Sequence, residues 1–74
     1  MELSDEIRII RQKAFMTQEE FARALGVAFS TVNRWEVGKS RPNISAMKHI
    51  KKFCDESSIS FDDLQNKWLS GGEK

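Results

Sequence analysis

Tyrosine is absent from these 74 residues, and cysteine and histidine occur once each. A lone cysteine, Cys54, cannot build an internal disulfide framework and fits a reducing compartment. With His49 the single histidine, no Cys/His cluster exists to supply the roughly four ligands of a structural zinc site, so no metal and no cofactor are expected. No apolar run approaches the roughly 18 residues of a membrane span. The opening MELSDEIR is acidic and has neither the basic region nor the apolar core of a secretory signal. The chain is therefore expected in the cytoplasm, with no membrane partner. Alternating strand patterns and β-branched runs are missing too, which leaves helices as the secondary structure.

What the chain does have is enough apolar residue, 39%, to close one small core, and 31% charge to keep it soluble. The net charge of +1 hides an uneven distribution. Arg23, Arg34, Lys39, Arg41, Lys48, Lys51 and Lys52 lie between positions 23 and 52 with only Glu36 against them, so that stretch carries +6 and the remainder −5. A dipolar chain of this kind suits a polyanion on one side; the competing reading is basic residues scattered over solvated helix faces, which suits Lys48, Lys51 and Lys52 better than direct contact.

Helix signals recur along the chain. Ser4 is expected to cap a first helix, with Asp5 and Glu6 in its first turn and Ile7, Ile10 and Ala14 on its buried stripe. Thr17-Gln18-Glu19-Glu20 reads as a capping box, with Met16 and Phe21 as a hydrophobic staple. The second helix runs from Gln18 to Leu25, and Gly26 supplies a left-handed stop. A third spans about Phe29 to Val37 and halts at Gly38. Asn43 caps a fourth, which buries Ile44, Met47, Ile50 and Cys54, and Asp55-Glu56-Ser57-Ser58 reads as a loop. Ser60 caps a fifth, with Phe61, Leu64 and Trp68 on its apolar face and Ile59 with Leu64 as a second staple. The domain is expected to occupy residues 1–69, and residues 70–74 a flexible tail or the start of a linker.

Gln18 to Trp35 forms one unit: a helix, a short turn opened by glycine, and a second helix, with Phe21, Leu25, Val27, Val32 and Trp35 filling the seam. The run TQEEFARALGV, followed by STVNRWEVGKSRP, resembles the Cro and Xre type of phage-repressor-like helix-turn-helix domain, and the likeness extends from Ile7 to about Cys54. The resemblance implies an all-α, lambda-repressor-like bundle of about five helices with the helix-turn-helix formed by helices 2 and 3. It also implies binding to double-stranded DNA and transcriptional regulation of repressor type. A homodimer on DNA is expected because one short recognition helix offers few base contacts and the fifth helix has apolar residues to spare.

The same resemblance assigns roles by position. Phe29, Ser30 and Arg34 fall at base-contacting positions of the recognition helix, and Asn33 beside them is read as a further base contact; Gln18, Lys39, Ser40 and Arg41 fall at phosphate-contacting positions, and Thr31 suits either a phosphate or its own backbone. Arg11 and Glu36 match a pair tying the first helix to the end of the third. Two departures stand out: Ala28 occupies a capping position often held by Ser or Thr, and Phe29 a position often held by a polar base reader. Phe29 suits either a thymine methyl or a lid on the core, and Arg34 either guanine or phosphate. No nucleophile–base pair and no phosphate-cradling glycine loop accompany these residues, so no enzymatic activity is expected. The rival functions are the DNA-targeting module of a larger enzyme and an antitoxin-like interaction module using Phe61, Trp68 and Leu69.

Overall fold

A computed structural model describes residues 2–71. Within them the chain forms α1 (Leu3–Lys13), α2 (Gln18–Leu25), α3 (Phe29–Glu36), α4 (Ile44–Ser57) and α5 (Asp62–Ser70), and no strand. The all-α architecture with α2 and α3 as a helix-turn-helix agrees with the sequence reading. Of the expected tail, Ser70 closes α5 and Gly71 is its C-cap; residues 72–74 lie outside the described residues.

α1 lies against α3 and α5, while α2 lies against α3 and α4. Their apolar faces meet in one cluster of Ile7, Ile10, Phe21, Ala22, Leu25, Val32, Trp35, Ala46, Met47, Ile50, Cys54 and Leu64. Phe21 and Phe53 pack edge to face at 5.3 Å, joining α2 to α4. Burial pushes the Cys54 thiol up to about 11, so it is an inert apolar filler at neutral pH.

The caps explain where helices begin. Thr17 Oγ1 accepts from the Glu20 amide at 3.1 Å and the Glu20 carboxylate accepts from the Thr17 amide at 3.0 Å. Asn43 accepts from the Ala46 amide at 2.8 Å. α1 differs from expectation: Glu2 is the N-cap, its amide donates to Asp5, and Ser4 sits inside the first turn. α5 is entered through Phe61, although Ser60 Oγ still accepts from the Asp62 amide at 3.3 Å.

The helix ends show the limits of glycine as a stop signal. Gly26 (φ 75) and Gly38 (φ 84) take the left-handed conformation, and Val27 and Lys39 fold back to donate to Ala22 and Arg34. Phe15 and Ser58 adopt the same conformation at φ 57 without being glycine, and so end α1 and α4 unannounced. The expected loop at Asp55–Ser57 is the last turn of α4, braced by Lys51 to Asp55 at 3.1 Å. Ile44, expected in the core, is 62% exposed; it is the first residue of α4 and overhangs the cluster, and Ala46 takes the inward place.

Two contacts fasten α5 to the loop after α3. The Trp68 indole donates to the Pro42 carbonyl at 2.7 Å, and Arg41 donates to the Trp68 carbonyl at 2.6 Å with its guanidinium 4.9 Å from the ring centroid.

At the start of α3, Ala28 has the extended backbone of an N-cap (φ −73, ψ 150) but no side-chain acceptor. Ala28→Ser is expected to raise stability by about 0.5–1 kcal/mol. Urea melts of both proteins measure this, and a midpoint for the serine form at or below the parent's contradicts it.

Candidate nucleic-acid interface

α3 buries Val32, Trp35 and Glu36 and leaves the opposite face uncovered. At 100° per residue, Phe29, Asn33, Ser30 and Arg34 fall in that order along one arc of about 140°. Ser30 and Arg34 are exposed, Phe29 is 52% exposed and Asn33 is half-buried. Phe29 is thus an open side chain at the start of the helix and not a lid on the core. Val37, which the sequence reading left out of the site, extends the same face at 57% exposed. Thr31 lies off the arc, half-buried beside a recess that Gly26, Val27, Asn43 and Ser45 also line.

Beneath the arc sits a buried carboxylate. Glu36 accepts from Arg11 Nε at 2.8 Å and Arg11 Nη2 at 2.9 Å, and from Gln18 Nε2 at 3.0 Å. Arg11 Nη1 donates to the Met16 carbonyl at 3.0 Å, and Arg8 Nη2 donates to the Glu36 carbonyl at 3.0 Å. The hydrogen bonds to Glu36 raise the Arg11 pKa above its already high ordinary value. Glu36 lies in the last turn of α3, where the helix dipole disfavours a negative charge. Arg11, with Arg8 at its edge, compensates that charge and fixes α1 across the end of α3.

Gln18 joins this centre to the exposed arc: its Oε1 accepts from Asn33 Nδ2 at 3.2 Å. It also opens α2, whose first backbone N–H groups have no intrahelical acceptors. The N-terminus of α2, with its partial positive charge, therefore borders the arc of α3. Lys39 and Ser40 are exposed just past α3.

Arg41, expected at a DNA phosphate beside Lys39 and Ser40, is half-buried, with Nη2 donating to the Trp68 carbonyl and the guanidinium over the Trp68 ring. Trp68 offers Arg41 its ring face and its backbone carbonyl at once, a combination the loop sequence does not reveal. The role of Arg8 was also missed; its signal was faint, an arginine one turn before Arg11 in a helix otherwise acidic at its start.

No group of three or more potential metal ligands occurs among the described residues. No helix among them is long and apolar enough to cross a membrane.

The family model described as helix-turn-helix matches residues 7–61. The chain belongs to the Cro/Xre-type helix-turn-helix family. It is also similar to the HTH-type transcriptional activator BcrR of Enterococcus faecalis, at 36% identity over 73 residues. That alignment covers 99% of this chain but 32% of the relative, so the chain spans about a third of the relative's length. No solved structure matches it. Family membership makes this a helix-turn-helix DNA-binding domain of the kind found in transcription regulators.

The Arg11–Glu36 pair is predicted to be the most sensitive polar contact of the domain. Arg11→Met leaves the Glu36 carboxylate buried with its main partner gone, and a loss of about 3–5 kcal/mol is expected. Changing Glu36→Leu as well restores much of that loss. Chemical denaturation of the two single variants and the double variant gives the coupling directly; additive losses contradict the pair's importance.

Proposed function

We propose that the domain binds double-stranded DNA sequence-specifically, with α3 lying in the major groove. The supporting observation is the uncovered arc of Phe29, Ser30, Asn33 and Arg34 on a helix whose other face is buried. A solvated surface helix has no need to carry an open phenylalanine, two amide or hydroxyl side chains and an arginine within one arc. In a groove, each has a partner: a thymine methyl for Phe29, base edges for Ser30 and Asn33, guanine or phosphate for Arg34.

Phosphates would be held by Gln18 and the start of α2, and by Thr31, Lys39 and Ser40 around α3. The positive excess over residues 23–52 would draw the duplex in. Such a domain would work in the cytoplasm, alongside the DNA. Repression by occupying an operator is the role the repressor-like resemblance implies. The Enterococcus faecalis relative is named an activator, which favours activation for this chain.

We further propose that two copies bind together. Ile44 and Leu69 are 62% and 61% exposed beside an apolar recess of about 160 Å³ that Met47, Phe61 and Trp68 help to line. A body 30 × 25 × 21 Å also fits half-sites one helical turn, about 34–36 Å, apart.

Reading and holding separate by experiment. Arg34→Ala is expected to cost about 1–3 kcal/mol on a site selected from random duplexes and less on scrambled DNA. Lys39→Ala is expected to weaken both alike and make the slope of log affinity against log salt shallower by about one unit. Arg41→Ala is expected to lower thermal stability and leave that slope unchanged. Titrations of these variants at several salt concentrations decide the assignment; equal losses for Arg34→Ala on both duplexes remove the base-reading role.

Sedimentation of the chain with the selected duplex is expected to give a 2:1 protein–DNA complex, and weak self-association without DNA. A firm 1:1 complex on a site without two-fold symmetry rules out the dimer.

A further inference from the structure

We infer that Asn33 reads an adenine, and that its amide is turned for this by a hydrogen-bond relay that begins at the buried Glu36 carboxylate. The inference rests on the major-groove reading above and adds which base is read and what orients the reader.

The relay has a direction set by chemistry. Arg11 occupies both Glu36 oxygens, at 2.8 and 2.9 Å, and a carboxylate held in this way has only acceptors to offer. Gln18 must therefore point its nitrogen at Glu36, as it does at 3.0 Å. An amide that commits its nitrogen to one side presents its oxygen to another, and Gln18 Oε1 accepts from Asn33 Nδ2 at 3.2 Å. Reversing Asn33 would set two oxygens against each other, so its orientation is fixed too. Two neutral amides on different helices thus take their orientation from one charged group beneath them.

What remains free on Asn33 is one Nδ2 hydrogen and Oδ1. Side by side, these are the donor and acceptor that adenine complements with N7 and the N6 amino group. Guanine places O6 where adenine has its amino group, which sets two acceptors against each other at Oδ1. Asn33 lies between Phe29 and Ser30 on the arc, so its free atoms emerge within the proposed groove face. Gln18 is a positioning residue here, touching no base itself, and its second Nε2 hydrogen stays free for a phosphate. Backbone contact and base contact are then coupled through one side chain.

The test begins with selection of a preferred duplex by the wild-type chain. Each adenine of that site is then replaced singly by 7-deazaadenine, which lacks the N7 acceptor. One replacement is expected to weaken the wild type about tenfold and to leave Asn33→Ala unaffected. Repeating the selection with Asn33→Ala is expected to erase the adenine preference at that position alone, and Gln18→Met to reduce it to a few-fold there. Thermal melts confirm that both variants are folded, and the modified duplexes test the wild type without any variant. If no 7-deazaadenine duplex binds more weakly, or Asn33→Ala keeps every base preference, adenine reading by Asn33 is wrong while DNA binding stands. If Gln18→Met leaves the preference whole, the relay is wrong. If the wild type selects no duplex, the groove reading and this inference fall together.

Discussion

Glu36 and Arg11 form the contact on which the arrangement of the other parts depends. A carboxylate that is 2% exposed, placed in the helix turn where the dipole repels it, is unfavourable by itself. Its two hydrogen bonds to Arg11 make it tolerable, and the geometry they demand locks α1 to α3. The remaining Arg11 donor reaches the Met16 carbonyl just before α2. One guanidinium thereby joins α1, the α1–α2 turn and α3. The apolar cluster supplies the greater part of the driving force for folding, but non-directional packing allows many similar arrangements. A bidentate ion pair is specific about distance and angle, and here it holds the end of α3 against α1.

That same centre connects structure with function. Gln18 bonds to Glu36 and to Asn33, so the N-terminal end of α2 and the middle of the exposed arc share one network. On the other side of α3, Arg41 and Trp68 tie the loop that follows it to α5. α3 is therefore held at both flanks while Phe29, Ser30 and Arg34 on its outward face stay exposed. A helix presented in this way loses little further conformational freedom on binding.

The apolar periodicities and capping residues made most of the fold legible in advance. Gln18–Leu25 was bounded correctly because Thr17, Glu20 and Gly26 act through hydrogen bonds and backbone angles within a few residues. The errors share a cause. α4 runs on through a polar stretch that reads as loop, because its last turn is braced by a pair one turn apart and ends at a serine in a glycine-like conformation. Ser4 has the composition of a cap, yet Glu2 with Asp5 takes the position. Serine is the stronger intrinsic cap, so local preference points to Ser4 and the observed N-cap of α1 at Glu2 runs against it.

The sequence by itself determined the helix-turn-helix, the family, the missing cap at Ala28 and the open face of α3, because each depends on spacing within one or two helices. Residue identities also pointed to the Arg11–Glu36 pair, but through family likeness and not through spacing. Tertiary structure alone decided which polar side chains remain free. Arg41 and Lys39 stand two apart in one basic loop and look equivalent; folding lays an indole beside Arg41 and leaves Lys39 in solvent. Likewise, nothing local to Asn33 says which way its amide turns. That orientation follows from a carboxylate three residues on and a glutamine on another helix, and hydrogen bonds of this kind exist only once the helices have met.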